Sequence, residues 1–153
     1  RFALATTFFS FGLEASLQQT NECGREGGWV GFHCDSESGV VSFWLERAAT
    51  GTIPPELSLL TALTRLGLSR NSLTGPIPPE LSSLTVLRFL YVDSNSLAGT
   101  IPPQLAALTS LQILHLSSNQ LTGSFPTGLC AIPYINIEVG RAEVVCECCT
   151  CCG

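Results

Sequence analysis

The sequence predicts an α/β solenoid: a right-handed superhelix with a parallel β-sheet on its concave side and a mostly irregular or 3-10 convex side. Three observations carry this. Residues 75–98 and 99–122 superpose with a period of 24, and glycines recur at Gly51, Gly75, Gly99 and Gly123. Asparagines recur at Asn71, Asn95 and Asn119, and the triad Leu63, Leu66, Leu68 returns as Leu87, Leu90, Val92 and as Leu111, Leu114, Leu116. A fixed period between 20 and 50 residues is the mark of a repeat array, in which each unit buries its apolar face only against its neighbours.

Each period has a physical logic. A short segment of the form xLxLx turns two leucines inward and their neighbours outward, as the strand period of two requires. The Asn that follows stands where the chain turns. Its amide both donates and accepts, so a column of Asn71, Asn95 and Asn119 can satisfy backbone groups that the turn leaves unpaired. Gly then permits a bend, and the Ile-Pro-Pro steps at 53–55, 77–79 and 101–103 hold the backbone extended. Short turns, not long helices, are expected on the convex side.

The pattern LxxLxLxxNxLxGxIPxxLxxL over residues 51–129 resembles the plant-type extracellular leucine-rich repeat, and the rest of the chain resembles it more loosely. The resemblance implies one leucine-rich repeat domain over 1–153. Residues 1–50 form an N-terminal cap with the first strand, 51–129 hold three full repeats and part of a fourth, and 130–153 form a C-terminal Cys-rich cap. CGREGGWVGFHCD, with Cys23, Trp29, Gly31, Cys34 and Asp35, resembles the cap that opens plant-type arrays, though its Cys-to-Trp spacing is longer. A Cys23–Cys34 bridge is implied, contributing about 3 kcal/mol by loop-closure entropy. RFALATTFF resembles the short aromatic-rich helix before the cap in some leucine-rich repeat proteins of unicellular algae; a leader remnant is the rival reading. The absence of Met predicts that a leader has been removed or lost.

Val40–Leu45, VVSFWL, reads as the first strand, with Phe43 and Leu45 inward by alternation with Val41. The step from Phe43 to Gly51 is one residue shorter than that from Leu66 to Gly75, so this rung needs an irregular turn. At the other end, Ile135, Ile137 and Val139 alternate as a closing strand. Cys130, Cys146, Cys148, Cys149, Cys151 and Cys152 resemble the Cys-rich ends of the same algal proteins, which implies a disulfide-stapled cap of unassigned connectivity. Overlapping CxxC spacings in the tail also admit a zinc or soft-metal cluster. An oxidising compartment favours disulfides, and no metal or other cofactor is expected.

Composition narrows the function. The net charge is −5 over 153 residues, which argues against nucleic acid as a partner. Only 12% of residues are charged and 45% are apolar, so disorder is not expected. No run of 18 apolar residues is present, so no membrane span is predicted in this chain. A Ser, a His and an Asp fall on neighbouring rungs at Ser117, His115 and Asp93, but no strained turn presents the Ser and no oxyanion donors are recognisable. The chain is read as a non-enzyme.

The concave face is the candidate site. Its outward columns hold Arg65, Phe89 and Ile113; Gly67, Tyr91 and His115; Ser69, Asp93 and Ser117; and Arg70, Ser94 and Ser118, with Arg88 at the border. Aromatic residues and Arg anchor interfaces, and Phe89 and Tyr91 stand where structure alone would be served by polar residues. Five rungs make a sheet roughly 20–24 Å long and only three or four residues wide, a few hundred square ångströms, which is well under the ~800 Å² per partner of a standard interface. The domain should therefore bind a small or extended ligand weakly, or enlist its rim or a second copy in a homo- or hetero-oligomer. The resemblance implies a secreted or cell-surface module that recognises a protein, peptide or glycan, as receptors and inhibitors of cell-wall-degrading enzymes do. The alternative is adsorption to ice or mineral through a regular Thr-bearing face: Thr61, Thr85 and Thr109 form one column, and Thr52 and Thr100 half of another.

Overall fold

The computed structural model describes residues 32–35, 39–45, 49–133, 135–140 and 144–145. The expected helix near the N-terminus, Cys23 and Trp29, the turn at 46–48 and the cysteines from Cys146 onward lie outside the described residues.

Two sheets run along the coil. The concave sheet has the order β1-β2-β4-β6-β8-β10, with β2 at Gly39–Trp44, β4 at Arg65–Gly67, β6 at Phe89–Tyr91, β8 at Ile113–His115 and β10 at Asn136–Glu138. These five are parallel, one per rung. Strand β1 (Phe32–Asp35) adds to the N-terminal edge in antiparallel pairing with β2, with an irregularity between His33 and Cys34. That strand was not anticipated, because FHCD lacks the repeat pattern. Phe43 and Leu45 are buried and Trp44 is 38% exposed, so the first rung follows the expected alternation.

The second sheet was not anticipated either. Its order is β11-β9-β7-β5-β3, all parallel, with β3 at Thr50–Thr52, β5 at Ser72–Gly75, β7 at Ser96–Thr100, β9 at Gln120–Ser124 and β11 at Val144–Val145. These strands are two to five residues long and four of them contain Gly, a residue of low β propensity. Pairing between rungs makes them strands. Gly51, Gly75, Gly99 and Gly123 all take φ between 75° and 88°, the left-handed region that an L side chain resists. At Gly75 a Cβ would also meet Thr52 Cγ2 at 3.0 Å. Gly75→Ala should therefore cost about 1–2 kcal/mol, read as a lower denaturation midpoint in urea.

On the convex side three 3-10 turns, Pro55–Leu59, Pro79–Ser83 and Pro103–Ala107, each begin on the second Pro of the Ile-Pro-Pro step. Proline lacks the N–H that the first turn would leave unpaired, and its fixed φ suits the start. Each turn closes with the N–H of Leu60, Leu84 or Leu108 donating to the carbonyl of Leu57, Leu81 or Leu105. A four-residue helix, α1 (Thr127–Cys130), takes the equivalent place in the partial fourth repeat.

The core is one leucine ladder. Leu57, Leu66, Leu73, Leu81, Leu90, Leu97, Leu105 and Leu114 are fully buried, with Phe125, Leu129 and Ile132 continuing the column toward the C-terminal end of the described residues.

The asparagines close the turn between the two sheets. Asn95 Nδ2 donates to the carbonyls of Leu68 (2.8 Å), Val92 (3.1 Å) and Asp93 (3.2 Å), while its Oδ1 accepts from the N–H of Leu73 at 3.0 Å. Asn71 repeats this with Leu45, Leu68 and Ser69 as acceptors and Ala49 N–H as donor. Asn119 does so with Val92, Leu116, Ser117 and Leu97. Each side chain thus ties its own turn to the rung before it. The residue just before each Asn, namely Arg70, Ser94 or Ser118, is left-handed with φ of 54–58°.

Candidate functional site

The outward positions of the concave sheet form two aligned columns. Arg65, Phe89, Ile113 and Asn136 pair across neighbouring strands, and so do Trp44, Gly67, Tyr91, His115 and Glu138. Two residues beyond the strand ends lie Ser69, Asp93 and Ser117.

At the centre of the first column is Phe89. The Arg65 guanidinium carbon lies 5.0 Å and that of Arg88 5.7 Å from the centre of its ring. Both distances are within cation–π range. Arg88 is steadied further by donating to Gln112 Oε1 at 3.2 Å. Among the described residues neither Arg forms an ion pair, so two cations are held on one ring with their charge available.

The second column is aromatic. The ring of Tyr91 is 6.4 Å from that of Phe89 with planes 1° apart, 5.3 Å from Trp44 with a 31° tilt, and 5.1 Å edge-on from His115. His115 Nδ1 is 3.5 Å from Glu138 Oε2. Asp93 accepts from the hydroxyls of Ser69 and Ser94, and Ser117 donates to Glu138 Oε1. The Ser117, His115 and Asp93 of the sequence triple are therefore engaged with other partners and not with one another.

The predicted residues divide accordingly. Arg65, Arg88, Phe89, Tyr91, Asp93, Ile113 and His115 share the strip. Arg70 is exposed at the left-handed turn on its border, away from the ring contacts. Trp44 and Glu138 belong to the strip and escaped the sequence reading. The signal for Trp44 was present as Gly67, an empty position in a column that otherwise holds Tyr and His. On the flank where the strands begin, a groove of about 690 Å³ is lined by Thr64, Val86, Arg88, Ser110, Gln112 and Pro133, among others, so Arg88 joins the strip to a rim of mixed polarity.

At the C-terminal end Cys130 is disulfide-bonded. The side chains of the other seven cysteines lie outside the described residues. Among the described residues no group of His, Cys, Asp and Glu could hold a metal ion, and no helix is long and apolar enough to cross a membrane.

A solenoid of 24-residue rungs with an asparagine ladder defines a class of repeat proteins. The Leucine Rich Repeat family model matches residues 62–84, 86–108 and 110–132. Residues 62–132 are thus leucine-rich repeats, and the chain is similar to plant receptor ectodomains built from them. No curated protein sequence matches it. Among solved structures it is similar to the BIR2 ectodomain from Arabidopsis thaliana, at 29% identity and TM-score 0.74 over 90% of this chain and 79% of that one. A plant ice-binding protein is similar at 28% identity and TM-score 0.68, over 94% of this chain and 56% of that one. The plant peptide hormone receptor RGFR1, solved in complex with RGF2, is 36% identical with TM-score 0.58 over 60% of this chain. Of RGFR1 the chain spans 15%.

Proposed function

We propose that this domain recognises a peptide or protein ligand through its concave face, outside the cell or at its surface. The observation that carries the reading is Phe89 flanked by the guanidinium groups of Arg65 and Arg88. Two guanidinium groups fixed on an aromatic ring lose little further freedom when they fork onto a carboxylate or sulfate, so the strip favours an acidic ligand. Similarity to a peptide hormone receptor supports the ligand class. The ligand's reach beyond the narrow strip would come from the groove beside Arg88. Glu56 and Glu80 stand on the first two convex turns, with the neutral Gln104 on the third, so an acidic ligand is steered away from that part of the back. Arg65→Ala with Arg88→Ala, and separately Tyr91→Ala, should each weaken binding about tenfold, and binding should weaken with salt. Calorimetry against an acidic peptide panel tests this. Glu56→Ala with Glu80→Ala lowering affinity instead, or no dependence on salt, would remove the reading.

A second reading is adsorption to ice. The second sheet exposes Thr50, Thr52, Thr74, Thr100 and Thr122 on successive strands, and a plant ice-binding protein is among the similar structures. Recrystallisation inhibition that survives loss of the concave Arg pair but not Thr52→Leu with Thr100→Leu would support it. Equal inhibition by all variants would sink it.

A further inference from the structure

Gly67 occupies the position on its rung that Tyr91 and His115 hold on the next two. The vacancy is filled from the side. A Cβ at Gly67 would come within 2.2 Å of Trp44 Cε3 and 2.4 Å of Cδ2, so the indole of the first rung lies over the second. There it meets Tyr91 at 5.3 Å while staying 38% exposed. Two rings from rungs that are not adjacent thereby form one continuous shelf. Charge is divided on either side of it. Arg65 and Arg88 are held at Phe89, toward the start of the strands. Asp93 lies toward their end, accepting from two hydroxyls and from no cation among the described residues.

We propose that Trp44 and Tyr91 form a shelf for a ring-bearing side chain of an extended peptide that crosses the strip along the strands. An acidic side chain two residues to one side meets Arg65 and Arg88, and a basic one two residues to the other side meets Asp93. This rests on the concave-face reading above and adds the order of ligand groups. The pitch favours a peptide. The rings of Phe89 and Tyr91 are 6.4 Å apart, and alternate side chains of an extended chain are spaced at about 6.6 Å. Charges of opposite sign flanking a ring at that pitch are what a peptide of alternating pattern supplies, whereas a neutral sugar chain leaves both Arg residues and Asp93 unmatched. Gly67 is a positioning residue: its missing side chain lets the indole reach Tyr91.

The test uses the full chain and fluorescein-labelled heptapeptides read by anisotropy. The parent probe has the core Glu-Gly-Tyr-Gly-Lys. Three others replace its Tyr with Ala, its Glu with Lys, or its Lys with Glu. The parent should bind tightest, and each replacement should weaken it about fivefold. Trp44→Ala and Gly67→Ala should each weaken the parent by a similar factor and leave the Tyr-to-Ala probe unchanged, since the coupling is between ring and shelf. Gly67→Ala keeps the indole and moves it, which separates placement from mere presence. Wild-type binding by both variants while loss of Arg65 and Arg88 weakens the probe would overturn the shelf and leave the concave reading standing. Insensitivity to all four changes, or no binding of the parent, would overturn both. Binding of cellohexaose in place of the peptides would overturn the peptide assignment.

Discussion

Asn95→Ala should destabilise the protein by about 3 kcal/mol, while Asn136→Ala should cost under about 0.5 kcal/mol. Asn95 serves four backbone groups, one donor and three acceptors, spread over residues 68 to 93. Alanine leaves the N–H of Leu73 facing a dry interior without its acceptor, and a buried group without a partner costs about 1–3 kcal/mol; the carbonyl of Leu68 keeps Asn71 as its remaining side-chain donor. The carbonyls of Val92 and Asp93 lose a shared donor, a smaller effect at 3.1–3.2 Å. Asn136 is exposed on β10 and its side chain serves no comparable ladder. Urea denaturation of both variants measures the difference. Asn95→Asp provides a control, because it keeps the acceptor for Leu73 but replaces the donating amide with a carboxylate aimed at three carbonyls. It should be at least as damaging as the alanine. Equal midpoints for Asn95→Ala and Asn136→Ala would show that the ladder does not carry the turn.

The ladder was legible in the sequence because the repeat leaves one solution for it. A polar side chain at a fixed phase between two apolar columns must be buried, and only one that both donates and accepts can satisfy a turn from within. The leucine ladder was legible for the same reason of phase. The second sheet was not. Segments such as SLTG and SLAGT offer two or three residues around a glycine, and no isolated segment of that kind forms a strand. Its strands exist because successive rungs place them side by side.

The site was half legible. Columns of outward residues could be written down from the period, which brought Arg65, Phe89, Tyr91 and His115 together. Trp44 lies on a rung where the register slips, so its column was uncertain. Its role depends on contact with the rung beyond, across Gly67, and no residue pattern within one rung encodes that. Arg70 lies at the border of the face, where its left-handed backbone belongs to the turn. Ser94 and Ser118 in the same column are left-handed too, without the glycine or asparagine that would have announced it.

Leu90→Ala should lower stability by about 3 kcal/mol, within the 2–5 kcal/mol range for truncating a fully buried Leu. For a chain of this size that is a fall in melting temperature of roughly 6–12 °C. Leu90 is the inward residue of β6, the central strand of the five parallel rungs, and it is fully buried between Leu66 and Leu114. A cavity there has rungs on both sides, so the neighbours cannot collapse into it without leaving their own register. The position also decides how the array fails. In a solenoid each rung touches only the next, and a weak central rung divides the array into halves, each with too few rungs to stand alone. Ile137, on the last strand and only half buried, has no rung beyond it among the described residues. Ile137→Ala should therefore cost about 1 kcal/mol and loosen the end locally. Hydrogen exchange separates the two. Leu90→Ala should speed exchange of the N–H groups of Leu68, Val92 and Leu116 together, whereas Ile137→Ala should speed only Leu116, which donates to Glu138. If Leu90→Ala accelerated exchange in its own rung alone, the rungs would not be coupled, and the shelf that Trp44 extends across Gly67 would lose the rigid frame on which its pitch depends.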